Sequence, residues 1–72
     1  MKKVKKIKIK INGKFSTISE NLSLSIFLEE LKIPIKKVAI ELNQEIIDKN
    51  KINKIKLRKN DKIEIVHFIG GG

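Results

Sequence analysis

The sequence predicts an α+β domain, one β-sheet covered by one helix. Three patterns carry that prediction. The chain opens with a two-strand alternation around Asn12-Gly13. A single amphipathic helical pattern follows, with Leu24, Phe27, Leu28 and Leu31 at positions i, i+3, i+4 and i+7. After Pro34 the apolar period returns to two. The order is ββαββ, with a last strand running on to the end. A sheet with one apolar face needs a cover, and one short helix needs a sheet to pack against.

Each element has a local cause. Ile7, Ile9 and Ile11 alternate with Lys6, Lys8 and Lys10, so one strand face is apolar and the other charged. Val4 breaks that phase, which places the strand start after it or at a bulge. Asn12-Gly13 suits a type I′ turn, where both central residues take positive φ. The return strand is expected from Lys14 to about Ile18. Ser19 to Leu22 reads as loop. Ser23 is an N-cap, its hydroxyl accepting from the free N–H groups of the first helical turn. The helix should run from about Leu24 to Lys32, because the residue before Pro34 avoids the helical region. Val38, Ile40 and Leu42 mark a third strand, and Asn43-Gln44 a turn into a short strand at Ile46-Ile47. Asp48 to Asn53 is polar and reads as loop, with Ile55 and Leu57 as apolar anchors beyond it. Asn60-Asp61 is turn chemistry. Ile63 and Ile65 flank Glu64, and Val66, His67, Phe68 and Ile69 lead into Gly70-Gly71-Gly72. The expected core includes Ile9, Leu24, Phe27, Leu28, Leu31, Ile40 and Ile63.

Composition narrows the function classes. The chain has 72 residues and no cysteine, so it is expected to be one domain without disulfides or a thiol nucleophile. One histidine, His67, does not make a zinc site, and no metal or bound cofactor is expected. Lysine interrupts the first ten residues too often for a signal-peptide core, and no apolar run is long enough to span a membrane. The expected location is the cytoplasm. The formal net charge of +9 suggests nucleic acid. Yet Lys, Ile and Asn, all with A/T-rich codons, make up over half the chain, so genome composition accounts for the charge. The aromatics are 3 phenylalanines, too few for a base-stacking platform, and nucleic acid is not the expected partner. No catalytic set stands out: Ser23 is a cap, His67 a strand or rim residue, and Glu29-Glu30 a solvated helix face. Asn12-Gly13-Lys14 is a hairpin and not a phosphate loop.

The terminal glycines carry the functional signal. Three extended residues reach about 10 Å. With no side chains they form a narrow arm, expected to be mobile, whose one reactive group is the Gly72 carboxylate. A partner can clamp the bare backbone of Gly70 and Gly71 while the last carbonyl enters a narrow site. If Ile63 and Ile65 face the helix, strict alternation puts Val66 and Phe68 on the opposite face. With Ile69 they would form a docking patch beside the arm. The opposing arrangement is a bulge that turns Phe68 inward.

The stretches Val38-Ala39-Ile40-Glu41-Leu42-Asn43, Glu45-Ile46-Ile47 and Asp61 to Gly72 resemble the ThiS-type sulfur carriers of thiamin biosynthesis, in the ubiquitin-like β-grasp superfamily. Phe27, Leu28 and Leu31 match that family's apolar helix pattern. Gln44 and Asn60 stand where the family often has glycine, and Asp48-Lys49 replaces a frequent proline-arginine pair; all are turn positions. The lysine-rich first six residues lie outside the resemblance.

The resemblance implies a β-grasp, a sheet of four to five strands with the first and last paired at its centre. It also implies a chemistry. An ionised carboxylate accepts sulfur poorly, so a ubiquitin-activating-type enzyme would use ATP to adenylate Gly72. A sulfur donor would then convert the adenylate to a thiocarboxylate for delivery to a thiazole synthase. In that role the chain is a carrier and not an enzyme. The alternatives are the small subunit of molybdopterin synthase or a ubiquitin-like modifier and, from another class, a basic nucleic-acid-binding module.

Overall fold

The computed structural model describes residues 5–68. Ile69 and Gly70 to Gly72 lie outside the described residues, as does the expected break at Val4. Five strands and one α-helix are described: β1 Lys6–Ile11, β2 Lys14–Ser19, α1 Leu24–Glu30, β3 Val38–Leu42, β4 Glu45–Ile46 and β5 Lys62–His67. Short 3₁₀ helices occupy Ile35–Lys37 and Lys49–Lys54.

The sheet order is β2-β1-β5-β3-β4. β1 and β5 are adjacent and parallel, while the other neighbours are antiparallel. This is the central pairing of first and last strands that a β-grasp requires. The period-two pattern becomes a two-faced sheet. Ile7, Ile9, Ile18, Val38, Ile40, Ile63 and Ile65 are buried on the inner side with Leu24, Phe27 and Leu28 of α1. The β1–β2 turn takes φ of 48° at Asn12 and 83° at Gly13, as a type I′ turn demands. Ser23 caps α1, its Oγ accepting from the Ile26 N–H at 3.1 Å.

Five local expectations need correction. The helix ends at Glu30 and not at Lys32. Lys32 takes φ 58°, its N–H donates to the Glu29 carbonyl, and the Ile33 N–H donates to the Leu28 carbonyl. Those two bonds are a Schellman closure with lysine in the usual glycine place. Leu31, expected in the core, is therefore the capping residue and is 45% exposed. Ile33, beyond the cap, packs against the core instead.

Asp48 to Asn53 is not an open loop. Asp48 caps the 3₁₀ helix Lys49–Lys54 through a 2.9 Å bond from the Asn50 N–H, and Ile52 is buried. One apolar residue among lysines and asparagines shows no period, so burial decided this segment. The fourth strand is Glu45–Ile46, one residue earlier than expected, and Ile46 points to solvent. Ile47 is instead packed against the core. The return strand β2 runs one residue further, to Ser19.

Candidate functional site

Strand β5 carries the chain toward the terminal glycines, and both of its edges are held. On one side it pairs with β3 from Leu42↔Ile63 to Val38↔His67. The Phe68 N–H extends that ladder, donating to the Lys37 carbonyl at 2.9 Å. On the other side the parallel ladder with β1 covers only Lys10↔Lys62 and Ile11↔Ile63. There β1 turns away, and the Asn12 side chain takes over. Its Oδ1 accepts from the Ile65 N–H at 2.7 Å.

A second asparagine holds the start of the strand. Asn43 Oδ1 accepts from the Lys62 N–H at 2.9 Å, and Asn43 Nδ2 donates to Asp61 Oδ1 at 3.0 Å. Asp61 Oδ2 accepts from the Arg58 N–H at 2.8 Å. Sequence reasoning reads these asparagines only as turn residues. Their clamping role depends on partners far along the chain, which no local pattern displays.

Alternation along β5 is strict where it matters. Ile63 and Ile65 are buried, whereas Val66 is 58% and Phe68 59% exposed. The inward bulge at Phe68 does not occur. Val66 lies opposite Ala39 in register, and the Lys49 ammonium sits 5.1 Å from the Phe68 ring centre. An apolar patch therefore occupies the outer sheet face where β5 ends. His67 is an exposed strand residue opposite Val38. The other residues expected at the site, Ile69, Gly70, Gly71 and Gly72, lie outside the described residues. Among the described residues, no cluster of three His, Cys, Asp or Glu side chains could hold a metal, and no helix is long and apolar enough to cross a membrane.

Residues 9–72 match the model of the ThiS family, so the match includes the terminal glycines. The chain belongs to the ThiS family. Its fold agrees with a solved ThiS structure, the thiamine biosynthesis protein of Geobacter metallireducens. The two superpose with a TM-score of 0.81 at 30% identity, covering 92% of this chain and 100% of that one. The Bacillus subtilis sulfur carrier protein ThiS is 51% identical over 35 residues, which is 49% of this chain and 53% of that protein. A thiazole synthase from Paramagnetospirillum magneticum is 39% identical over 66 residues, which is 92% of this chain but only 20% of the synthase. The chain thus spans a fifth of that relative's length, and a ThiS-like segment sits within a larger thiazole synthase polypeptide.

Within the ThiS family pattern, the departures at Gln44 and Asn60 keep the turn geometry that glycine would give. Gln44 takes φ 73° and Asn60 φ 71°. The backbone shape is retained at a steric cost, and neither position touches the end of β5.

Proposed function

We propose that this chain is a sulfur carrier of thiamin biosynthesis, working through the carboxylate of Gly72. The observation that carries the reading is the ThiS-family match, which spans residues 9–72 and so reaches from β1 to Gly72. The β-grasp supports it by ending its central strand beside an exposed apolar patch, Val66 and Phe68.

The chemistry follows from what a carboxylate lacks. Oxide is a poor leaving group, so the ionised acid does not accept sulfur. A ubiquitin-activating-type partner joins a Gly72 oxygen to the α-phosphorus of ATP and releases pyrophosphate. A hydrosulfide equivalent from a sulfur donor then attacks the acyl carbon. The C–S bond forms, AMP leaves, and the thiocarboxylate retains the negative charge. A thiazole synthase takes the sulfur. The reacting groups of each step belong to those partners, apart from the glycine end itself, so the chain serves as carrier and co-substrate. Gly70 and Gly71 let a partner's backbone donors close on the arm, and Val66, Phe68 and Ile69 hold the domain beside it.

The test is intact mass after incubation with the adenylating enzyme, ATP and a sulfur source. The expected product gains the mass of one oxygen exchanged for sulfur. Deleting Gly72 should leave the fold unchanged, abolish that gain and cause thiamin auxotrophy. A folded deletion variant that still loads sulfur and supports thiazole formation would overturn the reading.

A further inference from the structure

The outer sheet face carries a second exposed aromatic, at the far end from the glycine tail. Phe15 of β2 is 68% exposed. The Lys10 ammonium lies 5.0 Å from its ring centre and that of Lys8 lies 5.3 Å away. Lys62 of β5 is the register partner of Lys10. A shallow hollow of about 260 Å³ opens between Phe15, Lys8, Lys10, Lys62 and Asn60.

Two features of this corner work against the isolated domain. Like charges side by side across a sheet repel, and here Lys10 sits beside Lys62 with Lys8 on the same face. An exposed phenylalanine forgoes its burial. Of the 3 phenylalanines in the chain, Phe27 alone is in the core, while Phe15 and Phe68 are both exposed on the outer face. Composition accounts for abundant lysine. It does not account for two of three aromatics standing in solvent on one face, each under a lysine ammonium. A partner that supplies carboxylates and covers the ring relieves both costs at once.

We infer that Phe15, with Lys8, Lys10 and Lys62, is a second docking anchor, and that it takes an acidic, apolar-centred strip on the thiazole synthase. This rests on the carrier reading above. The synthase is the committed occupant because ThiS-like segments occur within thiazole synthase polypeptides, so the two domains work together. The spacing fits one interface. Lys62, the first residue of β5, and Phe68, just past its end, are six residues apart, roughly 20 Å at strand rise. A standard interface of about 800 Å² per partner spans that distance. The end of the face at Val66 and Phe68 supplies apolar contact, and the Phe15 corner supplies charge and orientation.

The test is calorimetric titration of the full chain, its tail not thiocarboxylated, into purified thiazole synthase at about 50 and 300 mM salt. Phe15→Ala should weaken binding about tenfold. The double variant Lys8→Glu/Lys10→Glu should weaken it at least as much at low salt and flatten the salt dependence shown by the unaltered protein. Lys8→Gln/Lys10→Gln should fall between the two, and retained far-UV circular dichroism shows that each variant is folded.

Unchanged affinity and salt dependence in folded variants would overturn the inference. It would also be overturned if the variants kept synthase affinity and lost binding to the adenylating enzyme or to single-stranded DNA. The carrier reading is judged separately, by the Gly72 deletion, because this titration does not depend on a loaded tail.

Discussion

The two faces of strand β5 are made from similar residues and do opposite things. Ile63 and Ile65 on the inner face are almost inaccessible, under α1. Val66 and Phe68 on the outer face leave more than half of their surface in water. An apolar residue on the inner face is held by the fold, and its removal is felt as lost stability. An apolar residue on the outer face contributes little to folding, so its value lies in what it meets. The difference separates residues that build the domain from residues the fold leaves in solvent.

The sharpest way to break this contrast is at the buried side. Leu28 is 0% exposed at the centre of the helix–sheet contact. Leu28→Ala should cost about 2–5 kcal/mol, the transfer term plus a cavity. In a domain this small that is a large share of the total. Urea unfolding followed by circular dichroism measures it, and a loss under about 1 kcal/mol would show that the inner face is not the stabilising one.

The edge of β5 offers a middle case. Asn12→Gly keeps the turn but removes the oxygen that accepts from the Ile65 N–H, which is part-buried. The expected cost is about 1–3 kcal/mol. Hydrogen exchange at the Ile65 amide should speed up by more than exchange at Ile40. Equal effects at both amides would mean that Asn12 acts on the whole domain and not on the last strand.

At Gln44 the expected effect is a gain. The residue holds φ 73° in a two-residue turn, where an L side chain is strained. Gln44→Gly should raise stability by about 1 kcal/mol, read as a higher denaturation midpoint. A lowered midpoint would show that the glutamine side chain makes up for the strain.

The smallest stability effect belongs to the outer face. Val66→Asp should shift stability by no more than about 0.5 kcal/mol, since the side chain is mostly solvated. Binding to the adenylating enzyme, measured by the same titration, should nevertheless fall. Undiminished binding in the folded variant would remove Val66 from the docking surface.

Much of the fold was legible because its causes are local. The Ile7-Ile9-Ile11 alternation, the Asn12-Gly13 turn, the Ser23 cap and the helix face of Leu24, Phe27 and Leu28 each depend on neighbours within a few residues. The tail was legible for the same reason, since three consecutive glycines need no partner to stand out. Leu31 shows the limit of the pattern. It has the right helical spacing, but the chain closes at that point with Lys32 in the left-handed region, so the residue caps the helix instead of entering the core.

By itself, then, the sequence determined the strands and α1, the polarity of their faces and the glycine-rich stretch, because periodicity and turn chemistry act over short range. Tertiary structure decided which apolar residues were covered and which were left exposed. Ile52 became core because the segment after β4 folds back against α1 as a 3₁₀ helix. Phe15 and Phe68 came to share one open face through pairings that join residues about fifty positions apart. Asn12 came to hold β5 because β1 runs out at Ile11 while its neighbour continues. Each of these depends on which strands lie side by side, a long-range choice that no window of the sequence contains.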